Sequence, residues 1–192
     1  MRKIELHRKT NETEIWLTLN LDGNRDIEIN TGVGFFDHML TLFAFHGGFD
    51  LNIRCSGDID VDDHHTVEDV GIVLGDALQQ LLTDKTGLRR YGFMYIPMDE
   101  SLSRVVIDLS GRPTLVYNVL ITRQTLGNMD TQNVKEFLKA FVNNARITLH
   151  AEVLYGENDH HKVEAVFKAF GQALKSAVKI ESDRVLSSKG AL

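Results

Sequence analysis

Twice along this chain a pair of adjacent histidines stands just ahead of a glutamate. The first occurrence is Asp63-His64-His65-Thr66-Val67-Glu68, and the second is Asp159-His160-His161-Lys162-Val163-Glu164. On a helix, side chains three and four residues apart share a face, so Glu68 falls beside His64 and His65, and Glu164 beside His160 and His161. Imidazole nitrogen and carboxylate oxygen offered from one helical face are a known way to hold a divalent metal. Adjacent histidines diverge by about 100° around the helix axis, so the two of one pair cannot easily serve one ion. Each faces a different metal, or one of them faces a neighbouring subunit. Mixed nitrogen and oxygen donors suit Mn²⁺, Fe²⁺ or Zn²⁺. One such motif alone is more often a polar helix start than a ligand set; its repetition is what favours metal.

The repetition extends beyond the motif. Residues 63–78 and 159–174 agree at nine of sixteen positions at a spacing of 96, half of the 192 residues. Thr66 has become Lys162 and Asp69 has become Ala165, while both histidines and the glutamate are kept. The chain therefore reads as a duplication packed as one compact domain, with a first unit at residues 1–91 and a second at residues 92–192.

The elements that must position these side chains repeat as well. Residues 3–8 and 14–19 alternate polar and apolar at period two, as half-buried strands do. Asp22-Gly23-Asn24, between Leu21 and Ile27, predicts a hairpin turn. A helix follows at about 35–45, a strand at 50–55 and a long helix at about 64–82. In the second half, strands are expected at 93–96, 103–108 and 115–121, a helix at about 131–146, a strand at 148–154 and a helix at about 160–178. Asp62-Asp63 and Asn158-Asp159 are suitable N-caps for the two motif helices. Each unit is thus strands, helix, strand, helix, which predicts an α+β fold with each sheet covered on one face and the two units related by a pseudo-twofold.

Composition removes several function classes. The formal net charge of −6 opposes non-specific nucleic-acid binding, which needs a basic surface to displace counterions. The one cysteine, Cys55, allows no internal disulfide and no CxxC-type zinc site, and it reads as a small semi-buried residue. Residues 1–9 lack the apolar core of a signal peptide. The most apolar stretch, 33–49, is broken by Asp37, His38 and His46, so it does not read as a membrane span. A cytoplasmic location is expected.

Several further segments carry a resemblance. They are Asn30-Thr31-Gly32-Val33-Gly34-Phe35-Phe36-Asp37-His38-Met39-Leu40, the two histidine motifs, Arg89-Arg90-Tyr91-Gly92 and Met98-Asp99-Glu100-Ser101. Asp108-Leu109-Ser110-Gly111-Arg112-Pro113, Phe167-Lys168-Ala169-Phe170 and Ser187-Ser188-Lys189-Gly190 complete the series. In these, and along essentially its whole length, the chain resembles the imidazoleglycerol-phosphate dehydratase family in its form without a fused phosphatase domain. The resemblance implies a duplicated sheet-plus-helices sandwich of the ribosomal protein S5 domain 2-like type. It implies a hydro-lyase of histidine biosynthesis that uses Mn²⁺, two ions per active site, and assembles as a large symmetric homo-oligomer, a 24-mer, with metal sites between subunits.

Carried over by matching motifs, the metal ligands are His38, His64, His65, Glu68, Glu136, His160, His161 and Glu164. Glu136 is a departure, because many family members have histidine there; glutamate oxygen still suits Mn²⁺. Glu12 matches a substrate-contacting glutamate and is the candidate proton shuttle, with Glu68 and Glu164 as further catalytic carboxylates. His38, His64, Glu68, His46 and, more weakly, Asp99 are substrate contacts. Arg90 and Arg112 match the phosphate-binding arginines, and Ser187, Ser188 and Lys189 the phosphate-binding tail, where Leu186 replaces the usual proline. Without the resemblance, Arg89-Arg90 is a basic pair, Glu12 a turn glutamate and Lys189 a tail lysine. The elimination itself needs an unacidic C–H proton and a hydroxyl removed from adjacent carbons beside the imidazole ring. Metal on the ring nitrogens and a carboxylate in reach serve both needs. A dinuclear metallohydrolase and a non-catalytic metal-dependent assembly protein are the competing readings. Neither needs Glu12, Arg90, Arg112 and Lys189 around one ligand.

Overall fold

A computed structural model describes residues 1–189. The first unit runs β1 (Lys3–Lys9), β2 (Thr13–Asn20), β3 (Ile27–Asn30), α1 (Gly34–Gly47), β4 (Asp50–Gly57) and α2 (His64–Leu81). The second runs β5 (Tyr91–Met98), β6 (Ser101–Asp108), β7 (Thr114–Asn118), β8 (Thr125–Leu126), β9 (Met129–Asp130), α3 (Gln132–Ala145), β10 (Thr148–Tyr155) and α4 (Asp159–Ala177). The sheets have matching orders, β1-β2-β4-β3 and β5-β6-β10-β7. The fold is α+β, built from two repeated strand–helix units.

Alternation along β2 explains the layering. Ile15, Leu17 and Leu19 are buried on the inner face, while Trp16 and Thr18 face outward. Helix α2 covers the inner face of the first sheet and α4 that of the second, while α1 packs on α4 and α3 on α2. The helices meet in a shared phenylalanine core, with Phe36 edge-on to Phe137, Phe137 stacked on Phe167, and Phe43 and Phe141 both against Phe170. Two glycines allow the closest helix approaches. Gly75 of α2 lies against the Phe141 carbonyl of α3, and Gly171 of α4 against the Phe43 carbonyl of α1, with no room for a Cβ at either place.

The segment Asp22-Gly23-Asn24 does not make the expected hairpin. Strand β4 lies between β2 and β3, antiparallel to the first and parallel to the second. The Asp50 carboxylate at the head of β4 holds the crossing chain, accepting from the backbone N–H of Asn24 (2.6 Å) and Asp26 (2.9 Å) and from the Asn20 amide (2.9 Å). The tight hairpin is instead β1–β2, closed by the Thr10 N–H donating to the Thr13 carbonyl. Strand β7 also ends earlier than expected, at Asn118 opposite Glu152. Beyond it the chain leaves the sheet, and the Leu120 carbonyl accepts from Lys162 Nζ. The short β8–β9 hairpin is an element the periodicity did not indicate.

That hairpin changes the register of the repeat. Lys3 and Tyr91, which open β1 and β5, are 88 residues apart, as are Thr13 and Ser101, which open β2 and β6. Gly34 and Gln132, which open α1 and α3, are 98 apart, as are Asp50 and Thr148. Hence Glu12 and Glu100 occupy one position of the repeat, each just before its strand. His38 and Glu136 occupy another, each the fifth residue of its helix.

Candidate metal centre

The start of α4 faces α1, and there three donors converge. His38, His160 and Glu164 each offer an atom, all lying within 4.8 Å of one another. Glu164 Oε2 stands 3.1 Å from His160 Nε2 and 3.6 Å from His38 Nε2. Two ligands about 2.1 Å from one ion and at right angles stand about 3 Å apart, so the spacing and the donor chemistry both fit a divalent ion. Burial alone raises the Glu164 carboxyl, but Lys168, bonded at 2.5 Å, together with His160 and His38, brings it below its ordinary value. Glu164 is therefore a charged, buried carboxylate. Phe35 packs edge-on to His160. His46, further along α1, has its imidazole pKa lowered by burial and then by Lys168.

The pseudo-equivalent place lies between α2 and α3. His64 Nε2 is 3.6 Å from Glu68 Oε2, and His64 Nδ1 is 3.0 Å from the Asn133 amide oxygen. His64, Asn133 and Glu136 line a hollow of about 300 Å³. The Glu136 carboxylate pairs with Lys139 at 2.9 Å, and among the described residues it does not close a second three-donor cluster.

The second histidine of each pair turns elsewhere. The rings of His64 and His65 lie 82° apart and those of His160 and His161 81° apart, in keeping with helical geometry. His65 Nδ1 meets the Asp58 carboxylate at 3.0 Å, and His65 Nε2 stands 3.8 Å from Glu12. His161 Nδ1 meets Glu100 at 2.8 Å, with Asp99 3.8 Å from Nε2. Those carboxylates raise both imidazole pKa values, the hydrogen bond being the chief cause in each.

The helix starts differ from each other. Asn158 caps α4, its side-chain oxygen accepting from the His160 and His161 N–H groups. Asp62 serves the His64 N–H in α2, while Asp63 makes no cap. The aspartates at 63 and 159 instead anchor the segment that leads into α3. Asp63 accepts from the Asp130 N–H, and Asp159 from the Thr122 and Arg123 N–H groups and from Lys162.

The basic residues gather at a different place. Arg90, at a left-handed φ of 70°, donates to both oxygens of Asp108 (2.7 and 3.1 Å) and to the Leu186 carbonyl (2.7 Å). Arg112 stands 3.9 Å from Asp108, and the Ser187 hydroxyl accepts from the Lys189 N–H. Arg90 and Arg112 thus flank Asp108, and the tail meets Arg90 at the Leu186 carbonyl. They lie at the far end of α4 from His160, since the Arg90 N–H donates to the Ala177 carbonyl. The 19 residues of α4 span roughly 28 Å. One chain does not bring its metal donors and its basic cluster to one place.

Cys55 is buried, and its thiol is pushed up to about 11 by that burial, so it is inert at neutral pH. Among the described residues no helix is long and apolar enough to cross a membrane. Sequence reasoning passed over Asp58, Asn133 and Glu100 as partners of the motif histidines. The signal for Glu100 was present in its repeat position opposite Glu12.

A duplicated α+β sandwich with His/Glu donor sets at its helix starts defines a candidate metalloenzyme. The model of the family described as imidazoleglycerol-phosphate dehydratase matches residues 31–174. The chain is 57% identical to the imidazoleglycerol-phosphate dehydratase of Clostridioides difficile strain 630 over 192 residues, all of both chains. It is 55% identical to that of Acetivibrio thermocellus, over all of this chain and 99% of that one. The crystal structure of the Staphylococcus aureus enzyme superposes with a TM-score of 0.85 at 46% identity, over 93% of this chain and 99% of that one. The Pyrococcus furiosus structure gives 0.84 at 39% identity, over 97% of this chain and all of that one. The chain belongs to the imidazoleglycerol-phosphate dehydratase family, whose members are hydro-lyases of histidine biosynthesis. A metallohydrolase is not favoured.

Proposed function

We propose that this chain removes water from imidazoleglycerol phosphate to give imidazole-acetol phosphate, with Mn²⁺, two ions per active site, as cofactor. The observation that carries the reading is the His38–His160–Glu164 cluster in a chain of this family. His38, His160 and Glu164 hold one ion, and His64, Glu68 and Glu136 form the pseudo-equivalent set. His65 and His161 point to sites completed by neighbouring chains. When bound, the metal supplies Lewis-acid polarisation at the imidazole nitrogens of the substrate.

The protein's own residues do the rest. Glu12, its side chain 53% exposed and, among the described residues, engaged by no hydrogen bond, takes the proton from the second carbon of the substrate side chain. The hydroxyl leaves from the carbon attached to the ring, giving the enol of the product. Glu68 and Glu164 stand beside His64 and His160 as further catalytic carboxylates, and His46 and Asp99 border the substrate. Arg90 and Arg112 grip the phosphate by paired N–H donors, Lys189 adds a point charge and Ser187 and Ser188 add hydroxyls.

The imidazole and phosphate of this substrate are joined by a three-carbon chain, far shorter than α4. The placement of the donor cluster and Arg90 at opposite ends of α4 therefore supports an active site assembled from several subunits. We extend this to a closed 24-subunit assembly in the cytoplasm. The test is to strip the protein with chelator and follow both turnover of imidazoleglycerol phosphate and mass by light scattering. Turnover returning with Mn²⁺, and a larger mass with metal than without, are expected. A wild-type chain that never turns over this substrate sinks the reading.

A further inference from the structure

Glu12 and Glu100 stand at one position of the repeat, yet they are used differently. In the first unit, six residues, Asp58–Asp63, link β4 to α2. The Asp58 N–H donates to the Glu12 backbone carbonyl at 3.1 Å, and the Asp58 carboxylate takes His65 Nδ1. Among the described residues the Glu12 carboxylate has no hydrogen-bond partner, His65 Nε2 standing 3.8 Å away. In the second unit only three residues, Gly156–Asn158, link β10 to α4. The position of Asp58 is taken there by Gly156, whose φ of 151° and close approach to Ser101 leave no room for a side chain. The Glu157 and Asn158 N–H groups point at the side chain of Glu100. Glu100 Oε1 accepts from Glu157 N (3.1 Å), Asn158 N (2.8 Å) and Ser101 Oγ (2.9 Å), while Oε2 takes His161 Nδ1 at 2.8 Å.

We infer that Asp58 and Glu100 are the positioning residues of His65 and His161, and that the longer first link, by supplying Asp58, frees Glu12 for the substrate. This rests on the metal reading above. A carboxylate that accepts from Nδ1–H fixes the ring and leaves the Nε2 lone pair outward for metal, and it raises the basicity of that nitrogen. Glu100 has both oxygens committed, so it orients the ring and does not move protons. Among the described residues Glu12 has neither oxygen committed to a hydrogen bond.

Amide substitution separates orientation from fold. In Glu100→Gln the amide oxygen still accepts from Glu157 and Asn158, but its NH₂ now donates to His161 Nδ1. The ring proton is thereby driven to Nε2, where metal must bind. Asp58→Asn does the same to His65. Free Mn²⁺, read by electron paramagnetic resonance during titration of the metal-stripped full-length protein, should show affinity roughly 10–100-fold weaker in both variants. Their circular dichroism should stay that of the wild type, and Glu12→Gln should bind Mn²⁺ as the wild type does. Wild-type affinity in Glu100→Gln, or an equal loss in Glu12→Gln, overturns the assignment. A wild type that binds no Mn²⁺ overturns the metal reading itself.

Discussion

Gly171 of α4 lies directly on the backbone carbonyl of Phe43 in α1. That contact sets how closely the helix bearing His160 and Glu164 approaches the helix bearing His38. Gly75 against the Phe141 carbonyl does the same for α2 and α3. The donor clusters at the helix starts are therefore governed by glycines two to three turns away.

Gly171→Ala should destabilise the protein by about 1–3 kcal/mol, because a helix must shift to admit the methyl group. Gly34→Ala is the control, since a Cβ there meets its nearest neighbour at an ordinary 3.8 Å. Urea unfolding of the metal-stripped protein checks this, and equal midpoints for the two variants would falsify the helix-spacing argument.

Glu12→Gln should lower turnover by roughly 10²–10⁴-fold, the usual worth of a positioned acid–base group. Steady-state kinetics at saturating Mn²⁺ is the measurement. A variant retaining wild-type kcat would remove Glu12 from the proton transfer.

Arg90→Lys should raise KM for the phosphorylated substrate by roughly 10–100-fold, the range for a lost charged hydrogen bond. A lysine cannot make the paired contacts of a guanidinium. Mn²⁺ affinity should be unchanged, because the basic cluster and the metal donors sit at opposite ends of α4. Parallel loss of metal binding would contradict that separation.

Asp159 supplies a pH dependence. Its burial raises the carboxyl pKa, but the bonds from Lys162, Arg123 and Thr122 outweigh this and hold it well below the ordinary value of 3.8. A depressed folded-state pKa contributes stability that is present above the unfolded value and is lost as pH falls below it. Wild type should therefore exceed Asp159→Asn in thermal stability at pH 6, with the gap narrowing below about pH 4. A gap constant down to pH 3 would count against this carboxylate as a source of acid sensitivity.

The sequence made some of this legible and hid the rest for physical reasons. The motif helices, their diverging histidines and the paired units follow from local periodicity, which a single segment carries. The place of β3 does not, because β4, twenty residues downstream, inserts between β2 and β3 and turns an apparent hairpin into a crossover. The counterpart of His38 was readable as Glu136, although the motif spacing of 96 misses it and the helix spacing of 98 finds it. The Glu100–His161 bond was not readable from either motif, since it depends on the length of a neighbouring link. Arg90 and the donor cluster look like parts of one site along the sequence, and only the run of α4 between them separates the two.

That run of helix has a genetic consequence. Two subunit populations, one altered at Glu164 and the other at Arg90, should each be inactive alone. Refolded together, they should regain turnover if the site is assembled across subunits as proposed, one contributing an intact donor end and the other an intact basic end. Lesions at the two ends of α4 would thus complement each other, as lesions in separate genes do, although both lie in one chain.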